Sequence, residues 1–130
     1  MNHGTDPAVP RLEAWLFLGP TGVGKSPLGN ALERAGWNGR RCLHFDLGAE
    51  LRAAEAGAGI FPGMTDGEKN IVRRVLRKGV LFEDKDAPLV RKIFDGFLRR
   101  SGARTSDLLL LNGWPRHLGQ AEDAGKVAAV

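Results

Sequence analysis

Residues 19–26 read GPTGVGKS, a full match to the spacing G-x-x-x-x-G-K-[ST] that wraps a backbone around phosphate. Gly19, Gly22 and Gly24 let amide N–H groups turn inward with no Cβ in the way, and the amides of Thr21 and Val23 belong to the same cradle. Amides and a following helix N-terminus together hold anionic oxygens. Lys25 brings positive charge to the β and γ phosphates, and Ser26 offers a hydroxyl to Mg²⁺. The plain alternative is a glycine-rich strand-to-helix turn with an exposed lysine. Pro27 comes next. In the first turn of a helix its missing N–H removes no intrahelical bond. First-turn N–H groups also donate to phosphate, however. Losing one such charge-assisted bond costs on the order of 1.5–3 kcal/mol, roughly ten- to a hundredfold in affinity.

That loop needs a strand before it and a helix after it. AWLFL (residues 14–18) reads as a buried parallel strand. Leu28, Ala31, Leu32 and Ala35 then recur at helical spacing up to Gly36. RCLHFD (41–46) reads as a second strand, and residues 48–57 as a short helix stopped by glycine. After a Gly/Pro loop, Thr65 and Glu68 form a capping box opening a helix that carries Ile71, Val72, Val75 and Leu76 and stops at Gly79. Asp86 caps a further helix with Pro88 in its first turn, burying Leu89, Val90, Ile93, Phe94, Phe97 and Leu98. Residues 108–111 (LLLL) are a third buried strand. A short helix over 118–124 follows, and VAAV (127–130) begins a fourth strand. Strands alternating with helices predict a layered α/β fold with a parallel sheet.

The chain has 130 residues, 42% hydrophobic and 26% charged, which suits one globular domain. Residues 1–12 read as a loose polar tail without a signal pattern. No apolar run reaches membrane-spanning length. The single cysteine, Cys42, reads as a buried strand thiol, which fits a reducing, cytoplasmic setting. The net charge is +4 and the pI about 9.7. Arg73, Arg74, Arg77 and Lys78 cluster, as do Arg99 and Arg100. These read as solvated helix faces, or as a field that attracts polyphosphate. Nucleic acid is disfavoured as a partner, because no aromatics interleave with the basic clusters. No Cys/His cluster has metal-ligand spacing, and no Ser-His-Asp arrangement can be argued.

Two further stretches carry a family likeness. HFDLGAELRAAEAG (44–57) and LLLLNGWPRHLGQAE (108–122), with the phosphate loop, resemble the adenylate kinases, a family of nucleoside monophosphate kinases. The resemblance runs from residue 14 to the end of the chain. It implies a P-loop three-layer sandwich with a parallel sheet. Residues 13–130 would be the kinase core, incomplete at its C-terminus and without a lid. Residues 47–100 would be the inserted helical segment that binds the monophosphate. The implied activity transfers the γ-phosphoryl group of ATP to an AMP-like acceptor with Mg²⁺.

At matching positions, Arg52 and Arg116 would grip the acceptor phosphate, since two guanidinium forks suit a dianion. Lys25 and Arg116 would be the catalytic cations. Gln120 would read the base edge, and Gly48, Phe82 and Gly113 would line the monophosphate pocket. The family's two metal-holding acids are neutral here, as Ala49 and Asn112. Asp46, ending a strand at the ligand edge, is the candidate replacement beside Ser26, with a loop cap or a surface acid as its plain alternative. Leu47 replaces a hydroxyl of the acceptor pocket. His44 reads as a satisfied strand histidine, and His117 as a surface one. Two other functions stay open: a degenerate relative that binds nucleotide without turnover, and a P-loop kinase of a small hydroxyl metabolite.

Overall fold

The computed structural model describes residues 12–18, 22–56, 64–79 and 82–115. The expected helix over 118–124, the expected strand at 127–130 and the N-terminal tail up to residue 11 lie outside them. The described elements run β1 (Glu13–Phe17), α1 (Lys25–Ala35), β2 (Cys42–Asp46), α2 (Leu47–Glu55), α3 (Asp66–Lys78), a 3₁₀ turn (Asp84–Asp86), α4 (Ala87–Ser101) and β3 (Leu108–Asn112). The fold is mixed α/β, with four helices and a small three-stranded parallel sheet in the order β1-β3-β2. None of the described helices is long and apolar enough to cross a membrane.

β3 is the central strand and is buried along its whole length. Its side chains alternate between two cores, as a strand's period of two requires. Leu109 and Leu111 join Leu43 and Phe45 against α2, α3 and α4, in a cluster that includes Ile93, Phe94, Phe97 and Trp114. Leu108 and Leu110 join Cys42 on the other face, with Trp15, Phe17 and Leu32 packed against them. A sheet covered on both faces explains why its inner strands read as unbroken apolar runs. Phe45 makes edge-to-face contacts with Phe94, Phe97 and Trp114, with centroids 5.0, 5.2 and 6.1 Å away.

Local chemistry sets the element ends. Thr65 and Glu68 form the expected reciprocal capping box, with bonds of 2.8 and 3.1 Å. Gly79 closes α3 at φ 63°, where only glycine is comfortable. Asp107, 1% exposed, ties the start of β3 to the residue before β2 through a two-pronged bond from Arg41. It also accepts the Arg104 N–H.

Several expectations change. Among the described residues the first strand lies at the sheet edge and is not buried: Leu16 is 41% exposed and Leu18 77%. It pairs only with β3 among the described residues, and α1 crosses toward β2 instead of lying over it. In α1, Leu28 is 53% exposed, Ala31 and Ala35 are exposed, and Leu32 is half-buried. The close approach is made by Gly29, the one buried residue of that helix. A Cβ there would overlap the His44 ring, with ring carbons at 2.5 and 2.6 Å. Asp86 stands at the N-cap of α4, but its carboxylate turns back to accept from Glu83 N–H at 3.1 Å and does not cap that helix. Arg41 lies outside β2, and Leu47 is buried in the main core.

Candidate functional site

The parallel register brings the C-terminal ends of the strands level: Asn112 pairs with Phe17 on one side and Asp46 on the other. Ligands of open α/β sheets gather at this edge. A cleft of about 430 Å³ opens there. It is lined by Gly22, Gly24, Lys25, Ser26, Pro27, Asp46, Gly48, Arg52, Asn112 and Gly113. Three separate stretches of chain therefore meet in one concavity of ligand size.

The loop side is built as its glycines require. Gly22 and Gly24 sit at φ 94° and 95°, in the left-handed region, and Gly24 is the N-cap of α1. Lys25 and Ser26 are the first two residues of that helix. The first intrahelical N–H bond runs from Leu28 to the Gly24 carbonyl at 3.1 Å. Pro27 thus holds the last position whose N–H would have no acceptor inside the helix. Its ring fits, and the cleft has one amide donor fewer. Val23 is exposed on the loop, with its side chain outside the cleft lining.

The strand side is a connected polar network. Ser26 Oγ donates to Asp46 Oδ2 at 2.8 Å and accepts from Asn112 Nδ2 at 3.0 Å. The other Asp46 oxygen accepts the Ala49 N–H at 3.1 Å, which N-caps α2. β2 runs into α2 with no loop, so Asp46 is a helix cap, not a loop cap, and at the same time the partner of Ser26. His44 Nδ1 lies 3.0 Å from Asn30 Oδ1. That contact puts the imidazole proton on Nδ1 and leaves Nε2 as an acceptor. Asn112 Nδ2 then points toward His44 Nε2 at 3.5 Å as well as toward Ser26. Burial pushes the His44 pKa down, outweighing the opposing pull of Asp46 and Glu33. The His44 backbone N–H, on the side of β2 away from β3, donates to Glu33 Oε2 at 2.9 Å.

On the α2 side of the cleft, Arg52 is exposed and Gly48 lies near it, its missing Cβ 3.2 Å from an Arg52 nitrogen. Gly113 sits at φ 88° against Leu47. Phe82 packs against the main core and is not among the cleft-lining residues. Gly19, Thr21, Arg116 and Gln120 lie outside the described residues, as does His117.

No family model, no curated protein and no solved structure matches this chain.

Sequence reasoning picked out most of the cleft's side chains but not their connections. Asn112 reads in the sequence as a neutral replacement of a metal-holding acid, and its nitrogen faces Ser26. Gly29 and Asn30, which seat and orient His44, were passed over; the one available signal was a glycine inside an otherwise helical segment. Among the described residues no three His, Cys, Asp or Glu side chains gather as a metal cage. Ser26, Asp46 and the loop amides make an oxygen-and-amide set that fits a cation arriving with phosphate, since Mg²⁺ is held by one or two carboxylates plus phosphate oxygens and water.

Proposed function

We propose that this chain is a phosphotransferase of adenylate-kinase type on a P-loop layered α/β frame, moving the γ-phosphoryl group of ATP to an AMP-like nucleoside monophosphate. One observation carries the reading. Lys25 and Ser26 at the start of α1, with Gly48 in the first turn and Arg52 in the last turn of α2, open into one cleft at the C-terminal edge of a parallel sheet. A triphosphate held by the loop and a monophosphate held by Arg52 would meet there end to end. Arg116 and Gln120 belong to the same reading from sequence alone.

In the reaction, a phosphate oxygen of the acceptor attacks the γ-phosphorus in line. The bond from the γ-phosphorus to the β–γ bridging oxygen breaks, and ADP leaves with that electron pair. No general base is needed, because the attacking group is already an anion. Lys25 and Arg52 offset the charge spread over the phosphoryl oxygens. Ser26 and Asp46 would hold a Mg²⁺, which would supply further charge neutralisation when bound.

The test is a coupled assay of the full-length protein with ATP, Mg²⁺ and a panel of nucleoside monophosphates. Diphosphate formation from at least one acceptor is expected, together with its loss in Lys25→Ala. Absence of conversion with every acceptor would sink the proposal. A second reading, nucleotide binding without turnover, is favoured by Pro27, which presents no N–H to the cleft. It predicts saturable ATP binding by calorimetry in that same inactive protein.

A further inference from the structure

The loop side of the cleft is equipped unevenly. In a loop of this spacing the backbone amides cradle the α and β phosphates, and the lysine reaches the β and γ phosphates. Lys25 lines the cleft, so the two terminal phosphates keep their cation. The deficit falls nearer the nucleoside. Leu28 makes the first intrahelical N–H bond, to the Gly24 carbonyl at 3.1 Å. An amide at position 27 would therefore be spare for a ligand, and Pro27 puts a ring in its place. The lining also gives a nucleobase little to rest on. Its described residues are four glycines, Pro27 and five polar side chains. Pockets that hold a flat ring are lined mainly by apolar and aromatic side chains. Val23 and Leu28, the large apolar groups next along the chain, are 59% and 53% exposed, and neither lines the cleft. Lys25 and Arg52 bring two cations to it, while its one carboxylate, Asp46, already accepts from Ser26 and from the Ala49 N–H. That balance suits a compact polyanion.

We propose that the loop side of this cleft reads a diphosphate end and nothing beyond it, so that it takes inorganic polyphosphates, diphosphate included, on equal terms with nucleoside triphosphates. The inference rests on the phosphate-binding reading of the cleft and narrows it. The ligand is chosen by its last two phosphates, and neither a third phosphate nor a nucleoside adds appreciable affinity.

The experiment titrates the full chain by calorimetry with inorganic diphosphate, inorganic triphosphate and ATP, at a fixed Mg²⁺ concentration and ionic strength. The parent is expected to bind all of them within about tenfold of one another. Pro27→Ala restores an amide and adds no other polar group. It is expected to tighten triphosphate and ATP by at least about tenfold and to leave diphosphate within about threefold of the parent. Pro27→Ser, read in the same way, is the second variant if the first does not fold. ATP bound more than about tenfold tighter than both inorganic ligands in the parent overturns the inference. So does a gain for diphosphate equal to that for ATP in the variant, or no gain for any ligand. In each of those outcomes the phosphate reading of the cleft stands. A parent that binds none of the ligands overturns the phosphate reading and the inference with it.

Discussion

At the residue scale, Pro27 and Gly29 hold opposite kinds of constraint within three positions of one another. Pro27 costs the helix nothing, because the first intrahelical N–H bond belongs to Leu28. What it removes is a donor at the cleft wall. Pro27→Ser should therefore tighten nucleotide binding by roughly ten- to a hundredfold in a calorimetric titration. An unchanged dissociation constant would show that no phosphate reaches this amide. Gly29 has the reverse logic. In an exposed helix, alanine in place of glycine gains about 1 kcal/mol. Here the added Cβ overlaps the buried His44 ring, and overpacking of that kind costs about 1–3 kcal/mol. The steric cost exceeds the propensity gain, so Gly29→Ala should lower stability in urea unfolding. A stabilised variant would mean that α1 shifts away from β2 without penalty.

At the element scale, helix ends were readable because caps are local chemistry. Thr65 and Glu68 lie three residues apart, and no distant contact is needed to close their reciprocal bonds. Thr65→Ala should cost about 1 kcal/mol of stability, read as a lower urea midpoint with the slope unchanged. Asp86 shows where this kind of reading stops. It has the residue type and position of a cap, yet its carboxylate serves the 3₁₀ turn before α4. Asp46 was open between a cap and a site residue, and its two oxygens do one job each. An aspartate before a helix looks the same in sequence whichever donor reaches it first.

At the scale of the whole molecule, two buried titratable groups link layers that are far apart in the chain. His44 stands between α1 and the sheet, and burial holds its pKa below the ordinary imidazole value of about 6.5. The unfolded chain then binds the proton more readily than the folded one. His44's contribution is fully present above that ordinary value and is lost as pH falls below it toward the folded value. The Asp107 pKa is also depressed, chiefly by its bond from Arg41. Its contribution is present above the ordinary carboxylate value and disappears, at lower pH, as its folded value is crossed. Unfolding free energy measured against pH should fall in these two successive windows. His44→Gln should flatten the upper window and Asp107→Asn the lower one; a profile identical to the parent in either variant would refute that assignment.

Taken by itself, the sequence determined the glycine-rich turn that opens α1, the alternation of strand and helix, the caps and stops of α3, and the apolar face of α4. Each is written in residues a few positions apart, where backbone freedom, hydrogen-bond reach and helical period operate. Only the tertiary structure decided that the first strand lies at the edge of the described sheet, that Gly29 seats His44, and that Asn112 offers Ser26 its nitrogen. Strand order places residues 17, 46 and 112 side by side. Which atom of Asn112 faces the cleft then depends on a tautomer held by Asn30, more than 80 residues away. Such choices are settled by packing and by completing hydrogen bonds across the fold, and no local pattern encodes them.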